Sequence, residues 1–100
     1  MPSIVASGFD WDAGNSEKCQ KHGLSIAEIE AVLQNDPRIS PAPGRSSTED
    51  RFIAVGRTPA GRPAFIAFTI RMRNDACLVR PISARYMHAK EVERYEAAGP

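Results

Sequence analysis

Pro63-Ala64-Phe65-Ile66-Ala67-Phe68-Thr69-Ile70 is nearly all apolar. A short apolar run bounded by turn residues suits a central strand covered on both faces. Upstream, Thr58-Pro59-Ala60-Gly61 places proline at the second position of a turn. Before that turn, Arg51-Phe52-Ile53-Ala54-Val55-Gly56 reads as another strand. Downstream, Asn74-Asp75 marks the next turn, and Cys77 to Ala84 forms the last strand. Strands that follow one another through tight turns predict an antiparallel meander rather than a βαβ array.

The flanking segments supply helices. Residues 3–11 read as a short strand that Gly8 interrupts. Asp12 is a good N-cap for a helix over about residues 13–22, which Gly23 terminates. Ser25-Ile26-Ala27-Glu28 is a capping box, and Ile26, Ile29, Val32 and Leu33 behind it share one helical face. That helix stops before Asp36-Pro37. Residues 37–48 read as a Pro/Ser/Gly-rich loop, too short for a domain linker and too polar for a core. A final helix of about ten residues begins near Met87 and carries Ala89, Val92 and Tyr95 three apart. The order is β-α-α-β-β-β-α in one α+β domain spanning residues 1–100, with the early helices packed on the sheet.

With 42% hydrophobic and 25% charged residues, the composition is that of a globular domain. No apolar stretch approaches the roughly 20 residues that span a bilayer. The N-terminal Met1-Pro2-Ser3-Ile4-Val5-Ala6-Ser7-Gly8 lacks the basic and long apolar regions of a signal peptide. A cytoplasmic protein with no membrane partner is expected. Cys19 and Cys77, far apart in the sequence, fit reduced thiols. Cys19 and His22 on adjacent helical turns are two ligand types without visible partners, so no metal site is expected.

Charge is unevenly distributed. Residues 1–50 carry a net −4, and residues 51–100 a net +5, with eight of the nine bases in the second half being arginine. Arginine forks onto phosphate bidentately, so an Arg-rich half suggests a phosphate-bearing partner. A solvated sheet face is the alternative.

No phosphate-binding Gly-rich loop, GxSxG elbow or HExxH is present. What remains is a set of arginines, Lys21 and two histidines, with Arg71, Arg73, Arg80 and Arg85 on or near the last two strands. Strict alternation places Leu78, Arg80, Ile82 and Ala84 on one face, and Val79, Pro81, Ser83 and Arg85 on the other. Arg80 and Arg85 would then point apart, unless a bulge at Pro81 re-aims one of them. Arg80, on an apolar face, needs a partner, and Asp10 or Asp12 could supply a structural ion pair. Lys21-His22-Gly23 ends the first helix, where positive charge is favoured without any function. A general acid or base at His22 is the sharper alternative. Tyr86 could stack on a base or simply pack, while Trp11 reads as core.

Together these features resemble a known family. Its markers are Phe9-Asp10-Trp11-Asp12, Asn15, Lys21-His22-Gly23 with Ser25-Ile26-Ala27-Glu28, Glu49-Asp50-Arg51-Phe52 with Gly56, and Arg80-Pro81-Ile82-Ser83-Ala84-Arg85-Tyr86-Met87. In order and spacing they resemble the BrnT toxins of bacterial toxin–antitoxin pairs over roughly residues 9–95. The resemblance implies a fold similar to the RelE ribonucleases, a small antiparallel sheet with helices against it. It further implies RNA cleavage that shuts down translation, and a cognate BrnA-like antitoxin with a ribbon-helix-helix part. Operator DNA would be reached only through that antitoxin, in a complex that could be a hetero-tetramer.

Carried onto this chain, the resemblance makes Lys21, His22, Arg51, Arg80 and Arg85 the catalytic set. Arg57, Arg71, Arg73, Tyr86 and His88 are the residues expected to bind RNA. No cofactor is expected: the RNA's own 2′-hydroxyl attacks the phosphate, and the protein moves protons and stabilises the phosphorane. Two departures stand out: the first helix, Ala13-Gly14-Asn15-Ser16-Glu17-Lys18-Cys19-Gln20, is poorer in Lys and Ala than the family's usual helix, and the overall charge is less basic. A non-catalytic RNA- or protein-binding module, and an anion-binding domain using Arg80 and Arg85, are the competing readings.

Overall fold

A computed structural model describes residues 7–42 and 50–98. The chain runs β1 (Gly8–Phe9), α1 (Ala13–Cys19), α2 (Ile26–Gln34), β2 (Arg38–Pro41), β3 (Arg51–Arg57), β4 (Pro63–Arg73), β5 (Ala76–Tyr86) and α3 (Ala89–Ala97). The strands form one sheet in the order β1-β5-β4-β3-β2, so the apolar run Pro63–Ile70 in β4 occupies its centre.

Local chemistry explains the turns. Asn74 and Asp75 both take positive φ, 50° and 65°, as a tight β-hairpin with right-handed strand twist requires. Between β3 and β4, the Gly61 amide donates to the Thr58 carbonyl at 2.8 Å, with φ of 89° at Gly61. Asp12 caps α1 and Ser25 caps α2 in a box with Glu28, as the sequence predicts, and the Asp12 cap proves to be a reciprocal box with Asn15.

Three expectations need correction. Residues 38–41 lie in the expected loop but form an edge strand pairing antiparallel with β3, where the edge position tolerates Pro41. Residues 43–48 of that loop, like residues 3–6 of the expected first strand, lie outside the described residues. The sheet is not wholly antiparallel: β1, two residues long among the described residues, pairs parallel with β5. α1 ends at Cys19 rather than near residue 22, consistent with its weak helix formers Gly14, Asn15 and Ser16. A turn then carries the chain to Gly23, whose φ is 101°.

β5 contains a bulge. Ala67 pairs with Ser83 but Phe68 pairs with Pro81, leaving Ile82 as the extra residue. Buried Asn15 holds this irregular point: its side-chain amide donates to the Pro81 carbonyl and to the Asp10 carbonyl, both at 2.9 Å. One residue thereby ties the start of α1, the end of β1 and the bulge together.

The core lies between the helices and one face of the sheet. Cys19, Leu24, Ile29, Val32 and Leu33 pack on Ala54, Ala64, Ile66, Phe68, Val79 and Ala84, all at most 3% exposed. Small residues let the helices approach. A Cβ on Gly56 would stand 3.2 Å from Val32 Cγ1. Trp11 packs at the rim and donates its indole N–H to Glu30 at 2.9 Å. The other face of β4 is less closed than the sequence suggests, with Phe65 and Ala67 half-buried.

α3 is different, since none of its residues is buried. It is held by charge. Arg85 donates both terminal nitrogens to Glu91 at 2.9 and 3.0 Å, and Arg57 donates to Glu96 at 3.1 Å. The Tyr95 ring lies under the guanidinium groups of Arg38 and Arg57, at 5.2 and 5.3 Å. Arg85 and the His88 backbone amide hold the Glu91 carboxyl down to about 2.

Two expected outcomes follow from this arrangement. Asn15→Ala leaves the buried Pro81 carbonyl without its donor and should lower unfolding stability in urea by about 1–3 kcal/mol. The Glu91 contribution is whole above its ordinary value of 4.5 and is lost as pH falls toward 2. Hydrogen-exchange protection factors along α3, corrected for the intrinsic rate at each pH, should therefore fall over that window while those of β4 hold. Unchanged protection of α3 at pH 2.5 would contradict the charge-held attachment.

Candidate functional site

The register settles which way the arginines face. Thr69 pairs with Arg51 and Arg80, Ala67 with Ile53 and Ser83, and Phe65 with Val55 and Arg85. Directly paired residues share a face, so all of these point away from the helix-covered core. The extra residue at Ile82 restores the phase that strict alternation would have lost. Arg80 and Arg85 thus lie on one open face, four sequence positions of β4 apart as measured by their partners Thr69 and Phe65.

Two clefts lie end to end along β4 and β5 on this face. The first, of about 280 Å³, is lined by Gly14, Asn15, Lys18, Arg51, Thr69, Arg71, Arg80, Pro81 and Ile82. The second, of about 340 Å³, is lined by His22, Ile53, Phe65, Ala67, Ser83, Ala84 and Arg85. The first is cationic and fed by α1 and three strands. The second has an apolar floor with a few polar groups at its rim.

Arg80 makes the ion pair anticipated from sequence, to both candidate acids. Its Nη2 lies 2.9 Å from Asp12 and its Nη1 3.4 Å from Asp10. Burial works against the Arg80 charge, and Asp12 with Asp10 more than offsets it. The Asn15 amide and then Arg80 lower the Asp12 carboxyl below its usual range. The pair fixes the guanidinium at the cleft wall, and its buried Nη1 has no hydrogen-bond partner among the described residues. Lys18 and Arg51, by contrast, are exposed and have no ion pair among the described residues.

Arg85 is fully engaged. Besides its two bonds to Glu91 it donates to the Tyr86 carbonyl at 3.2 Å, and its guanidinium lies 4.6 Å from the Phe65 ring centre. Glu91 is the main reason its charge is reinforced. His22 reaches the rim of the second cleft from the turn after α1 and is exposed. Cys19, one helical turn earlier, points the other way into the core, where burial pushes its thiol up to about 11. The two do not share a site.

The remaining expected residues scatter. Lys21 lies with Glu17 and Gln20 around a depression that touches the first cleft only through Gly14 and Lys18. Arg71 lines the first cleft, and Arg73 reaches Asp10 at 3.3 Å beside it. Arg57 lies on the open face beneath α3. Tyr86 is on the helix side, donating to Glu28 at 3.2 Å with Arg62 stacked 3.5 Å from its ring. His88 caps α3 and is exposed. Lys18, Thr69 and Ser83, which the sequence does not single out, also line the clefts. Lys18 sits three residues before Lys21, and only the early end of α1 shows which of the two the cleft receives.

A cationic cleft beside an apolar one, with an imidazole at the rim, can bind a phosphate and a flat ring together and move a proton near them. No curated protein matches the chain. Its residues 11–91 match the model of one protein family, described as the ribonuclease toxin BrnT of type II toxin–antitoxin systems. A type II system implies a protein antitoxin as partner and an RNA target. Residues 11–91 include both clefts and the bulge that shapes them. The chain belongs to the BrnT family of ribonuclease toxins.

Proposed function

We propose that this chain is an endoribonuclease that cuts RNA without a metal and thereby halts translation in the cytoplasm. A BrnA-like antitoxin with a ribbon-helix-helix part would neutralise it, bind operator DNA on its behalf, and form a hetero-tetramer with it. The observation carrying this reading is the bulge at Ile82, which turns Arg80 and Arg85 onto one face beside His22. In this reading the 2′-hydroxyl of the substrate loses its proton and attacks the adjacent phosphorus, and the bond to the 5′-oxygen breaks, leaving a 2′,3′-cyclic phosphate and a 5′-oxygen that takes up a proton. Charge then grows on the phosphorane oxygens, and Arg51 and Arg80 meet it with preset donors. His22 takes or returns the proton, with Lys21 the alternative from just outside the clefts. Arg71, Arg73 and Arg57 supply backbone contacts to a longer RNA. Tyr86 and His88 are assigned to holding α2 and α3 in place.

Wild type, His22→Ala, Arg80→Lys and Arg85→Ala should be expressed without antitoxin and also assayed as purified proteins on RNA. Lysine at residue 80 keeps a charge for Asp12 but loses the fork. Loss of a preset donor to a developing oxyanion costs about 100- to 1,000-fold in rate, so Arg80→Lys should cut cleavage by that order, His22→Ala should cost about 100- to 10,000-fold, Arg85→Ala should lower cleavage less, and growth should recover in each. Equal arrest and equal cleavage in all four proteins would remove these residues from the mechanism. RNA binding without cleavage by the wild type, with or without ribosomes, would make the domain a binding module instead.

A further inference from the structure

The two clefts differ in their cations: the first holds Lys18 and Arg51, which have no ion pair among the described residues, and the second only the acid-locked Arg85. Both terminal nitrogens of Arg85 are committed to Glu91, and its plane lies against Phe65. A guanidinium so committed has little left for a phosphate, but its plane, Phe65, Ala67 and Ile53 form an apolar wall of the kind on which a nucleobase stacks. The first cleft has the complementary character. Lys18 and Arg51 bring charges with no ion pair among the described residues, and Arg80, paired to Asp12 and Asp10, is fixed in the cleft wall beside them. Same-face residues along a strand are about 7 Å apart, so Thr69 in the first cleft and Ala67 in the second are one ribose apart.

Resting on the ribonuclease reading, we infer that the two clefts are one nucleotide site. A phosphate of single-stranded RNA sits among Lys18, Arg51 and Arg80, and the base of the same nucleotide lies on Phe65 and Ala67 beside His22, Ser83 and Arg85. The ribose then bridges the bulge at Ile82–Ser83. Lys18 becomes a phosphate ligand, and Arg85 a stacking platform locked by Glu91 rather than a phosphate clamp. His22 stands on the nucleoside side, near the sugar hydroxyl rather than the phosphate oxygens.

The test uses three probes on the full chain: inorganic phosphate, a nucleoside, and the nucleoside 3′-monophosphate. Binding is mapped by amide chemical shifts. Phosphate should move Lys18, Thr69 and Ile82 and leave Phe65 and Ala67 still, the nucleoside should do the reverse, and the nucleotide should move both sets. Lys18→Met should weaken phosphate and nucleotide about tenfold and leave the nucleoside unchanged, since a bond to a charged group is being removed from an exposed helix position. Phe65→Leu should weaken nucleoside and nucleotide and spare phosphate. Phosphate shifts centred on His22 and Ser83, competition between phosphate and nucleoside, no binding of phosphate, or indifference of phosphate to Lys18→Met would each overturn the inference. RNA cleavage by a protein that fails this mapping would overturn the inference alone. A protein that passes the mapping but never cuts RNA would overturn the ribonuclease reading alone.

Discussion

Asn15 is bonded at once to the carbonyl of Asp10, the carbonyl of Pro81 and the backbone amide of Asp12, and the open face depends on that arrangement. A bulge leaves a strand with a ladder group out of register, and in a buried place such a group needs a partner. At the bulge the Pro81 carbonyl accepts from outside the sheet, from the side-chain amide of Asn15. The same amide brings the N-terminus of α1 against β5, which carries Asp12 to Arg80 and Lys18 to the first cleft. Bulge, ion pair and cleft are therefore one construction.

The arginines of the sheet form two populations. Arg57, Arg73, Arg80 and Arg85 each face an acid of the chain itself. Arg51, with Lys18 opposite it in the first cleft, has none among the described residues. Paired arginines are fixed in place and shape a surface. Unpaired cations in a concavity raise the local potential and attract anions. Net charge of the C-terminal half blurs this distinction, because an acid-locked arginine counts the same as an open one.

Much of the fold was legible in the chain because local rules and tertiary packing agree there. Asp12 and Ser25 cap the helices, Asn74-Asp75 and Thr58–Gly61 turn the strands, and the run at Pro63–Ile70 is central. Strand β2 was not legible, since Arg38-Ile39-Ser40-Pro41 has turn-like composition and becomes a strand only through its pairing with β3. For the site, the sequence exposed a conflict at Pro81 without resolving it. The resolution needed the partner strand's register, which no spacing within β5 contains. The same holds for Lys18 against Lys21, where a helix ending three residues early decides which side chain reaches the cleft.

The attachment of α3 divides the molecule into parts that obey different solvents. The core between α2 and the sheet is apolar and close-packed, so its cohesion depends on water's aversion to hydrocarbon and hardly at all on dissolved ions. The helix at the C-terminal end is moored by carboxylates and an aromatic ring on arginines near the surface. Such moorings weaken as ionic strength shortens the Debye length, which is about 8 Å in physiological salt. Salt concentration is thus a dial that loosens one end of this protein while leaving the other intact.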